Sequence, residues 1–363
     1  MRTSLLLPLL STLGLPLLAQ FPKDLLAVTF SGNAVTLDSR TGVGQVLSPT
    51  GHLGHNALGR VGGTLYATEQ VGSGASVQFF LNEIDDATGL ATRTVSLSRD
   101  LRALAPRTAL TFHAIADNGQ SDQLVRVSPT SGNIVVVGST GFASVQGLTV
   151  HNGQLYGWDL THGLITIDTA TGIGTDVNPN VGNGGAAIQF LTTMSDGRML
   201  GGHNSLYLID LATGVPQLRG SGQYNDLRGA EERFGVLYTF GVGCGATLTL
   251  QGVAQPGTTI STRSIGNLPG AVGLLFIGFS DHHYQNLPLP LSLDNFLGTV
   301  GCIAYVGPDI STAALASSLG ILTVPIAVPI GAQGLVFHVQ HVSLSNAPGG
   351  LTFSNAGSVR MPL

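Results

Sequence analysis

The chain has 363 residues, with 15 Lys and Arg against 20 Asp and Glu, which gives a formal net charge of −5. Charged residues make up 10% of the sequence, 51 residues are glycine, and no run of basic residues occurs. The lack of a basic run argues against a nucleic-acid ligand and against electrostatic attachment to a membrane. Low charge combined with abundant glycine favours many short strands over helices.

Residues 1–19 have the pattern of a Sec-type signal peptide. Arg2 supplies the positive charge, Leu5–Leu18 is mostly apolar, and Ala19 is the small residue at the expected cleavage site. The alternative is a membrane anchor, but prolines and a glycine interrupt the stretch, which is shorter than the roughly 20 residues of a span. We therefore predict a secreted or cell-envelope protein without a membrane span in the mature chain.

A six-residue phrase recurs five times, at intervals of 40 to 47 residues between its closing glycines. The closing glycines are Gly42, Gly89, Gly132, Gly172 and Gly214. Four copies carry an aspartate in the second position, namely Asp38, Asp85, Asp168 and Asp210. Repeats of this length are typical of propellers and solenoids.

Each phrase is predicted to be a hairpin turn between two strands. An aspartate can accept hydrogen bonds from amides two or three residues further on, and a glycine supplies the positive φ that closes the turn. These carboxylates could alternatively bind Ca²⁺, but Ca²⁺ takes about six to eight oxygen ligands and each turn offers one carboxylate. The turns are therefore predicted to be structural, with Ca²⁺ as the alternative.

A second recurrent phrase begins at Gly63, Gly153, Gly197 and Gly235, and its Asn152-Gly153 and Asp196-Gly197 pairs indicate tight hairpins. One period therefore holds four strands, which is the content of one propeller blade. Residues 20–240 have room for five periods, which predicts a five-bladed β-propeller. A six-bladed ring with a unit around Leu237 to Phe240 is the alternative. The mature chain starts at the second strand of a unit, so the run Asn225 to Gly229 is expected to supply the missing first strand.

Residues 241–363 lack the repeats and are predicted to form an antiparallel β-sandwich, which makes the whole chain all-β. Prolines at Pro325 and Pro329 favour edge positions or strand ends. The predicted strands are Thr247 to Gln251, Gly273 to Phe279, Ile321 to Val328 and Leu335 to Val342.

Motifs in this region appear in a fixed order. They are Gly241-Val242-Gly243-Cys244, Leu275-Phe276-Ile277-Gly278-Phe279-Ser280, Leu287-Pro288-Leu289 and Gly301-Cys302. Residues 240–363 thereby resemble a C-terminal module of exported, uncharacterised bacterial proteins, although that family usually has proline where this chain has Val300. The repeats are similar to exported bacterial propellers with Asp-x-x-Thr-Gly turns. These resemblances imply architecture and secretion, and they imply no activity.

The chain contains two cysteines, Cys244 and Cys302. In an exported protein such a pair usually forms a disulfide. A reactive thiol is the alternative, but no neighbouring residue would lower a thiol pKa. The positions also match those of the resembling module, and we predict a Cys244–Cys302 disulfide.

Histidine clusters are the first candidates for metal sites. His338 and His341 lie three apart in a strand, so they point to opposite faces and are not expected to share an ion. Asp281, His282 and His283 lie on a predicted loop, where they could converge on Zn or Cu. Solvated or hydrogen-bonded loop residues are the favoured interpretation, and we predict no metal site.

Polar or aromatic residues that interrupt the blade pattern are the candidate binding residues. They are Trp158, Asp159, His162, His203, Glu69 and His113, with Glu231 and Glu232 considered beside them. Equivalent positions of successive blades converge around the axis or on one face, where propeller ligands usually bind. Trp158 is either a core residue or a platform for a sugar ring.

No motif for a catalytic nucleophile, a phosphate loop or a zinc protease is present. The favoured function is a non-catalytic binding protein whose partner is an extracellular glycan or an envelope protein. The alternative is a propeller enzyme, a lactonase-like hydrolase or a polysaccharide lyase, with a site at the propeller axis. That alternative requires three or more of the candidate residues to converge within metal-ligand reach.

Overall fold

The structure is a computed structural model that describes residues 24–222 and 224–362. The predicted signal peptide lies outside the described residues. Nearly all regular structure in the described part is antiparallel β-sheet, with one short helix, α1 (Asp294–Leu297), and 3-10 turns at Gly74–Ser76 and Pro348–Gly350. Among the described residues, no helix is long and apolar enough to cross a membrane.

Five four-stranded sheets follow one another along the chain. Sheet 1 begins with β1 (Leu25–Thr29), β2 (Asn33–Leu37) and β3 (Gly44–Pro49). Sheet 2 contains β4 (His55–Val61), β5 (Thr64–Val71), β6 (Gln78–Ile84) and β7 (Ala91–Leu97). Sheet 3 contains β8 (Leu101–Thr108), β9 (Thr111–Ala116), β10 (Gln123–Val127) and β11 (Ile134–Ser139). Sheet 4 contains β12 (Val145–His151), β13 (Gln154–Asp159), β14 (Gly163–Ile167) and β15 (Gly174–Asp176). Sheet 5 contains β16 (Phe190–Thr193), β17 (Met199–Gly202), β18 (Leu206–Ile209) and β19 (Pro216–Gly220).

The inner strand of sheet 1 is supplied by β20 (Leu227–Glu232), which follows sheet 5 along the chain. β20 pairs antiparallel with β1, with Leu25 opposite Glu232 and Thr29 opposite Leu227. The expected closure by this part of the chain is confirmed, although the strand begins at Leu227 and ends at Glu232, later than the predicted run Asn225 to Gly229. The first strands of the sheets, β20, β4, β8, β12 and β16, contact one another in a closed ring. This arrangement is a β-propeller.

Side chains from neighbouring first strands fill the centre of the ring. Leu58, Leu104, Leu148 and Leu191 are buried, and together with Arg228 they line a residual cavity of about 10 Å³. This volume is at the lower limit of what one water molecule needs. Ligands therefore have access to the two faces of the ring and to the spaces between sheets, but not to its packed centre.

The first strand of each sheet begins, and the second strand ends, at one face of the ring, which we call the start face. The recurrent turns lie at the opposite face, which we call the turn face. In four turns the carboxylates of Asp38, Asp85, Asp168 and Asp210 accept hydrogen bonds from the amides two and three residues further on. The closing glycines all have φ between 68° and 84°. The third copy, with Ser128, keeps the backbone hydrogen bond from the Gly132 amide at 2.8 Å.

The C-terminal part contains two larger sheets and two two-stranded sheets. Its strands are β21 (Val236–Phe240), β22 (Thr247–Gln251), β23 (Thr259–Ile265), β24 (Val272–Gly278), β25 (His283–Tyr284), β26 (Leu287–Pro288), β27 (Leu291–Ser292), β28 (Ile303–Ala304), β29 (Ile310–Leu315), β30 (Leu322–Ala327), β31 (Val336–Leu344) and β32 (Leu351–Arg360). The five-stranded sheet has the order β21-β32-β31-β24-β29, and the three-stranded sheet has the order β22-β23-β30. Both sheets contribute to one buried core, which includes Leu248, Ile260, Leu275, Val339 and Val359.

The change from the ring to the C-terminal sheets occurs before residue 240. β21 (Val236–Phe240) pairs with β32, the last strand of the chain, so it belongs to the C-terminal part and forms no sixth unit of the ring. The sequence suggested otherwise because Leu237 and Tyr238 follow Gly235 just as in the repeats. Pro325 lies in β30 at the edge of its sheet, as predicted.

Two further features hold the C-terminal part in place. The predicted Cys244–Cys302 disulfide is confirmed. At the interface with the ring, the buried Arg360 of β32 pairs with Glu232 of β20. His282 Nε2 lies 3.0 Å from Asp196 Oδ2, and Arg40 donates to the carbonyl of Asp281 at 3.2 Å. These contacts all reach the turn face, so the start face is left free of them.

Candidate binding surface

Three of the predicted binding residues occupy equivalent places on the start face. Glu69 lies near the end of β5, Asp159 is the last residue of β13, and His203 directly follows β17. All three positions belong to second strands of their sheets or to the turns that follow them. The repeat therefore brings them to one face, although each side chain bonds within its own surroundings.

Glu69 is 5% exposed and lies between two partners. His52 Nδ1 is 3.0 Å from its Oε2, and Asn82 Nδ2 donates to the same oxygen at 2.7 Å. His52 comes from the loop that leads into sheet 2, whereas Asn82 lies in β6. The carboxylate thus ties the incoming loop to the sheet, which is a structural use of the charge.

Asp159 caps the turn between β13 and β14. Its Oδ1 accepts from the amides of Thr161 and His162, both at 2.9 Å, and lies 2.8 Å from His162 Nδ1. Its Oδ2 accepts from the amide of Ser144 at 3.0 Å. Burial by itself would raise the pKa of Asp159, but the hydrogen bonds from His162, Thr161 and Ser144 lower it below its ordinary value. The carboxylate of Asp159 is therefore ionised at neutral pH and caps the turn.

His203 belongs to a small polar network on the same face. Its Nε2 lies 2.9 Å from Asp226 Oδ1, which also accepts from Arg228 Nε at 2.6 Å. Arg228 donates in addition to Gln189 Oε1 at 2.7 Å, and its guanidinium lies 5.1 Å from the centre of the Phe30 ring. The network links the ends of sheets 1 and 5 and fixes an arginine on an aromatic ring at the surface.

An apolar patch adjoins this network. Phe30 is 39% exposed and Leu53 is 69% exposed. They lie on two loops that touch, because a Cβ added to Gly32 would meet the carbonyl oxygen of His52 at 2.1 Å and Leu53 Cδ2 at 2.8 Å. We call Phe30, Leu53 and Arg228 the start-face patch. Sequence reasoning missed it, although apolar residues inside the glycine-flanked loops at Gly32, Gly51 and Gly54 were a signal that could have been used.

The other candidate residues lie elsewhere. Trp158 is fully buried in the core between sheets 4 and 5, so it has no exposed face on which a sugar could stack. His113 lies in β9 near the turn face, at the opposite end of the ring from Glu69. Glu231 and Glu232 belong to β20, the first strand of sheet 1, and not to a second strand. Burial raises the pKa of Glu231 to about 8.

The histidines of the C-terminal part are distributed over separate contacts. His282 lies 3.0 Å from both Asp196 and Asp281, whereas His283 Nδ1 lies 3.2 Å from Ser280 Oγ. His341 Nε2 is 2.8 Å from Thr262 Oγ1 between the two sheets, and His338 faces the ring near Asp281. Within residues 24–222 and 224–362, no group of three or more His, Cys, Asp or Glu side chains is placed to hold a metal ion.

Comparisons with known proteins identify fold neighbours only. No family model matches the chain, and no curated protein matches it. A crystal structure of a nidogen/laminin complex is 12% identical, with a TM-score of 0.39, and the match covers 57% of this chain and 97% of that one. A protein of unknown function from Bacteroides thetaiotaomicron is 14% identical, with a TM-score of 0.34, and the match covers 83% of this chain and 76% of that one. The Dos1 propeller is 13% identical, with a TM-score of 0.29, and the match covers 57% of this chain and 60% of that one. TM-scores below 0.5 carry no argument about function.

Proposed function

We propose that this chain is an exported, non-catalytic interaction protein, built as a five-bladed β-propeller joined to a β-sandwich, and that it binds its partner through the start face. The observation that carries the proposal is the difference between the two faces. The described contacts of the C-terminal sheets reach the turn face. The start face, which carries the exposed Phe30 and Leu53, is free of these contacts.

The composition of the start-face patch favours a protein partner over a glycan. Arginine and aromatic residues are enriched at the centres of protein interfaces, and a fixed arginine loses less conformational entropy when a partner binds. Phe30 and Leu53 on two touching loops, together with Arg228 in β20, provide this combination. The signal peptide predicted for residues 1–19 and the resemblance of residues 240–363 to an exported module support an envelope or extracellular location.

The geometry gives less support to the enzyme alternative. Glu69, Asp159 and His203 each bond within separate networks, and the centre of the ring is packed with leucines. A lactonase-like hydrolase or a polysaccharide lyase needs several such groups around one substrate atom.

The test is binding of the mature protein to arrays of envelope proteins and glycans, followed by two matched substitutions. Leu53→Asp places a charge in the start-face patch, whereas Leu110→Asp places one on the turn face, where Leu110 is 75% exposed. We expect Leu53→Asp to weaken binding to the retained partner at least about tenfold, because burying an unpaired charge is costly, and Leu110→Asp to leave it unchanged. Equal binding by both variants, or turnover of an array glycan without binding, would contradict the proposal.

A further inference from the structure

A cavity of about 410 Å³ opens between sheets 3 and 4 near the turn face. Sheet 3 lines it with Arg107, His113 and Arg126, and sheet 4 lines it with uncharged residues such as Val150, Leu155 and Thr169. His113 and Arg126 lie side by side on one face of sheet 3, because they are direct partners in the β9–β10 register. No acidic side chain lines this cavity within the described chain.

Within the part of the chain that the structure describes, the arginines of the cavity have no carboxylate partner. Five other arginines of the described chain pair with carboxylates, in Arg60–Asp86, Arg102–Asp117, Arg198–Asp196, Arg228–Asp226 and Arg360–Glu232. Arg126 instead donates to the carbonyl of Thr169 at 3.3 Å, and Arg107 donates to Thr111 Oγ1 at 3.3 Å. Each guanidinium has five N–H donors, so most of the donors remain available.

Two buried nitrogen atoms in the wall have no hydrogen-bond partner. They are Nδ1 of His113, a residue that is only 5% exposed, and Nε of Arg126. Buried polar atoms without partners cost free energy, and a native protein usually satisfies them with water or a ligand. In a protein with a net charge of −5, a cavity with this donor set is suited to a negatively charged ligand.

We propose that this cavity binds the carboxylate of a small organic anion about the size of a sugar acid. The planar fork of an arginine matches a carboxylate, and His113 can donate a further hydrogen bond to it. The volume exceeds that of an inorganic ion and falls within the range of small-molecule sites, about 300–1,000 Å³. Val150 and Leu155 offer an apolar wall to the uncharged part of the ligand.

The charged groups around His113 also predict how binding depends on pH. Burial, together with Arg107 and Arg126, lowers the pKa of His113 to about 4. The nearest turn of sheet 4 carries Asp168, whose Oδ1 is occupied by the amides of Ala170 and Thr171. A bound carboxylate raises the pKa of His113, so the complex takes up a proton. Binding therefore becomes stronger as the pH falls toward about 4, the pKa of His113 in the free protein.

Titration calorimetry with glucuronate as the probe tests the proposal. We expect the wild-type protein to bind glucuronate, and Arg107→Gln and Arg126→Gln each to weaken binding at least about tenfold, the loss expected for one charge-assisted pair. Arg219→Gln, which removes an exposed arginine from β19, is the matched control and should bind like the wild type. Arg107 is exposed, so its variant remains informative if Arg126→Gln fails to fold.

Three outcomes would overturn the proposal. They are the absence of glucuronate binding, equal binding of glucose, and equal weakening by Arg219→Gln. Inorganic phosphate that binds as tightly as glucuronate would overturn the assignment to a carboxylate. The inference does not rest on the proposed function, because the cavity and the start-face patch lie at opposite ends of the ring. Leu53→Asp should leave glucuronate binding unchanged, so the two proposals can fail separately.

Discussion

The closing glycines of the turns differ in how much space surrounds them. Gly132 and Gly214 have nearly equal φ values, 69° and 71°. A Cβ at Gly132 would lie 2.2 Å from the carbonyl oxygen of Ser96 in the neighbouring sheet, whereas a Cβ at Gly214 would meet only Leu164 Cβ at 3.5 Å. Two glycines with the same conformation therefore face different packing constraints.

This difference predicts unequal effects of two identical substitutions. Gly214→Ala should cost about 1–2 kcal/mol, the penalty of a left-handed conformation for alanine. Gly132→Ala adds a backbone clash, and we expect it to cost about 3 kcal/mol or more. Urea unfolding of both variants measures the difference. Equal losses would show that sheets 2 and 3 separate freely at this turn.

Burial of His341 predicts a pH-dependent contribution to stability. Burial lowers the pKa of His341 to about 4 from an ordinary value of 6.5, so the unfolded chain binds the proton more readily. The contribution of neutral His341 is therefore present above pH 6.5 and is lost as the pH falls toward 4.

The expected result is that His341→Gln destabilises the protein less at about pH 5 than at about pH 7.5, because the variant has no proton to gain on unfolding. Urea unfolding at both pH values checks this. His151→Gln, at the partly exposed end of β12, is the control. A destabilisation by His341→Gln that is the same at both pH values would contradict the prediction.

Among the secondary-structure elements, those with a clear short-range sequence pattern could be predicted from the sequence. The glycine-closed turns, the four strands per period and β22 (Thr247–Gln251) could be read from the sequence because turn chemistry and alternation are short-range signals. β23 (Thr259–Ile265), β29 (Ile310–Leu315) and β32 (Leu351–Arg360) were not predicted, since many of their residues are serine, threonine or alanine and the alternation is weak. The start-face patch and the cavity at His113 form between loops or sheets distant in sequence, so no local pattern could show them.

The role of β20 in closing the ring can be tested by shortening the chain. Two shortened chains, both without the C-terminal sheets, differ in where they end. A chain that ends at Gly235 and carries Glu232→Gln keeps β20 and removes the charge that Arg360 pairs with. A chain that ends at Asp226 loses β20 and exposes the edge of β1.

We expect the longer chain to be monomeric and the shorter one to aggregate, because an unpaired strand edge is a template for intermolecular pairing. Size-exclusion chromatography with light scattering distinguishes them. A shorter chain that remained as monomeric and as stable as the longer one would mean that β20 is dispensable for closure.

In the whole molecule, one buried arginine couples the ring to the C-terminal sheets. Arg360 pairs with Glu232, donates to the Tyr238 hydroxyl at 3.0 Å and lies 3.8 Å from Asp24. Arg360→Met should destabilise the protein by about 3–5 kcal/mol, because it leaves buried carboxylates without a counter-charge.

A second substitution separates this charge effect from lost packing. Glu232→Gln in the Arg360→Met background should recover part of the free energy of unfolding, since the glutamine can still accept from the Ser195 amide. Denaturant unfolding of the wild type, the two single variants and the double variant gives the coupling free energy between Arg360 and Glu232. Simple additivity of the two substitutions would show that the arginine does not act through Glu232.

Closure by β20 also has a consequence for the order of events during synthesis. β1 emerges from the ribosome early, but its partner β20 lies about 200 residues later in the chain. At roughly 5–20 residues per second, the edge of sheet 1 stays open for at least about ten seconds. During this time four complete sheets are made before the ring can close. The newborn chain therefore passes through a long interval in which the unpaired edge of β1 is open to pairing with another chain.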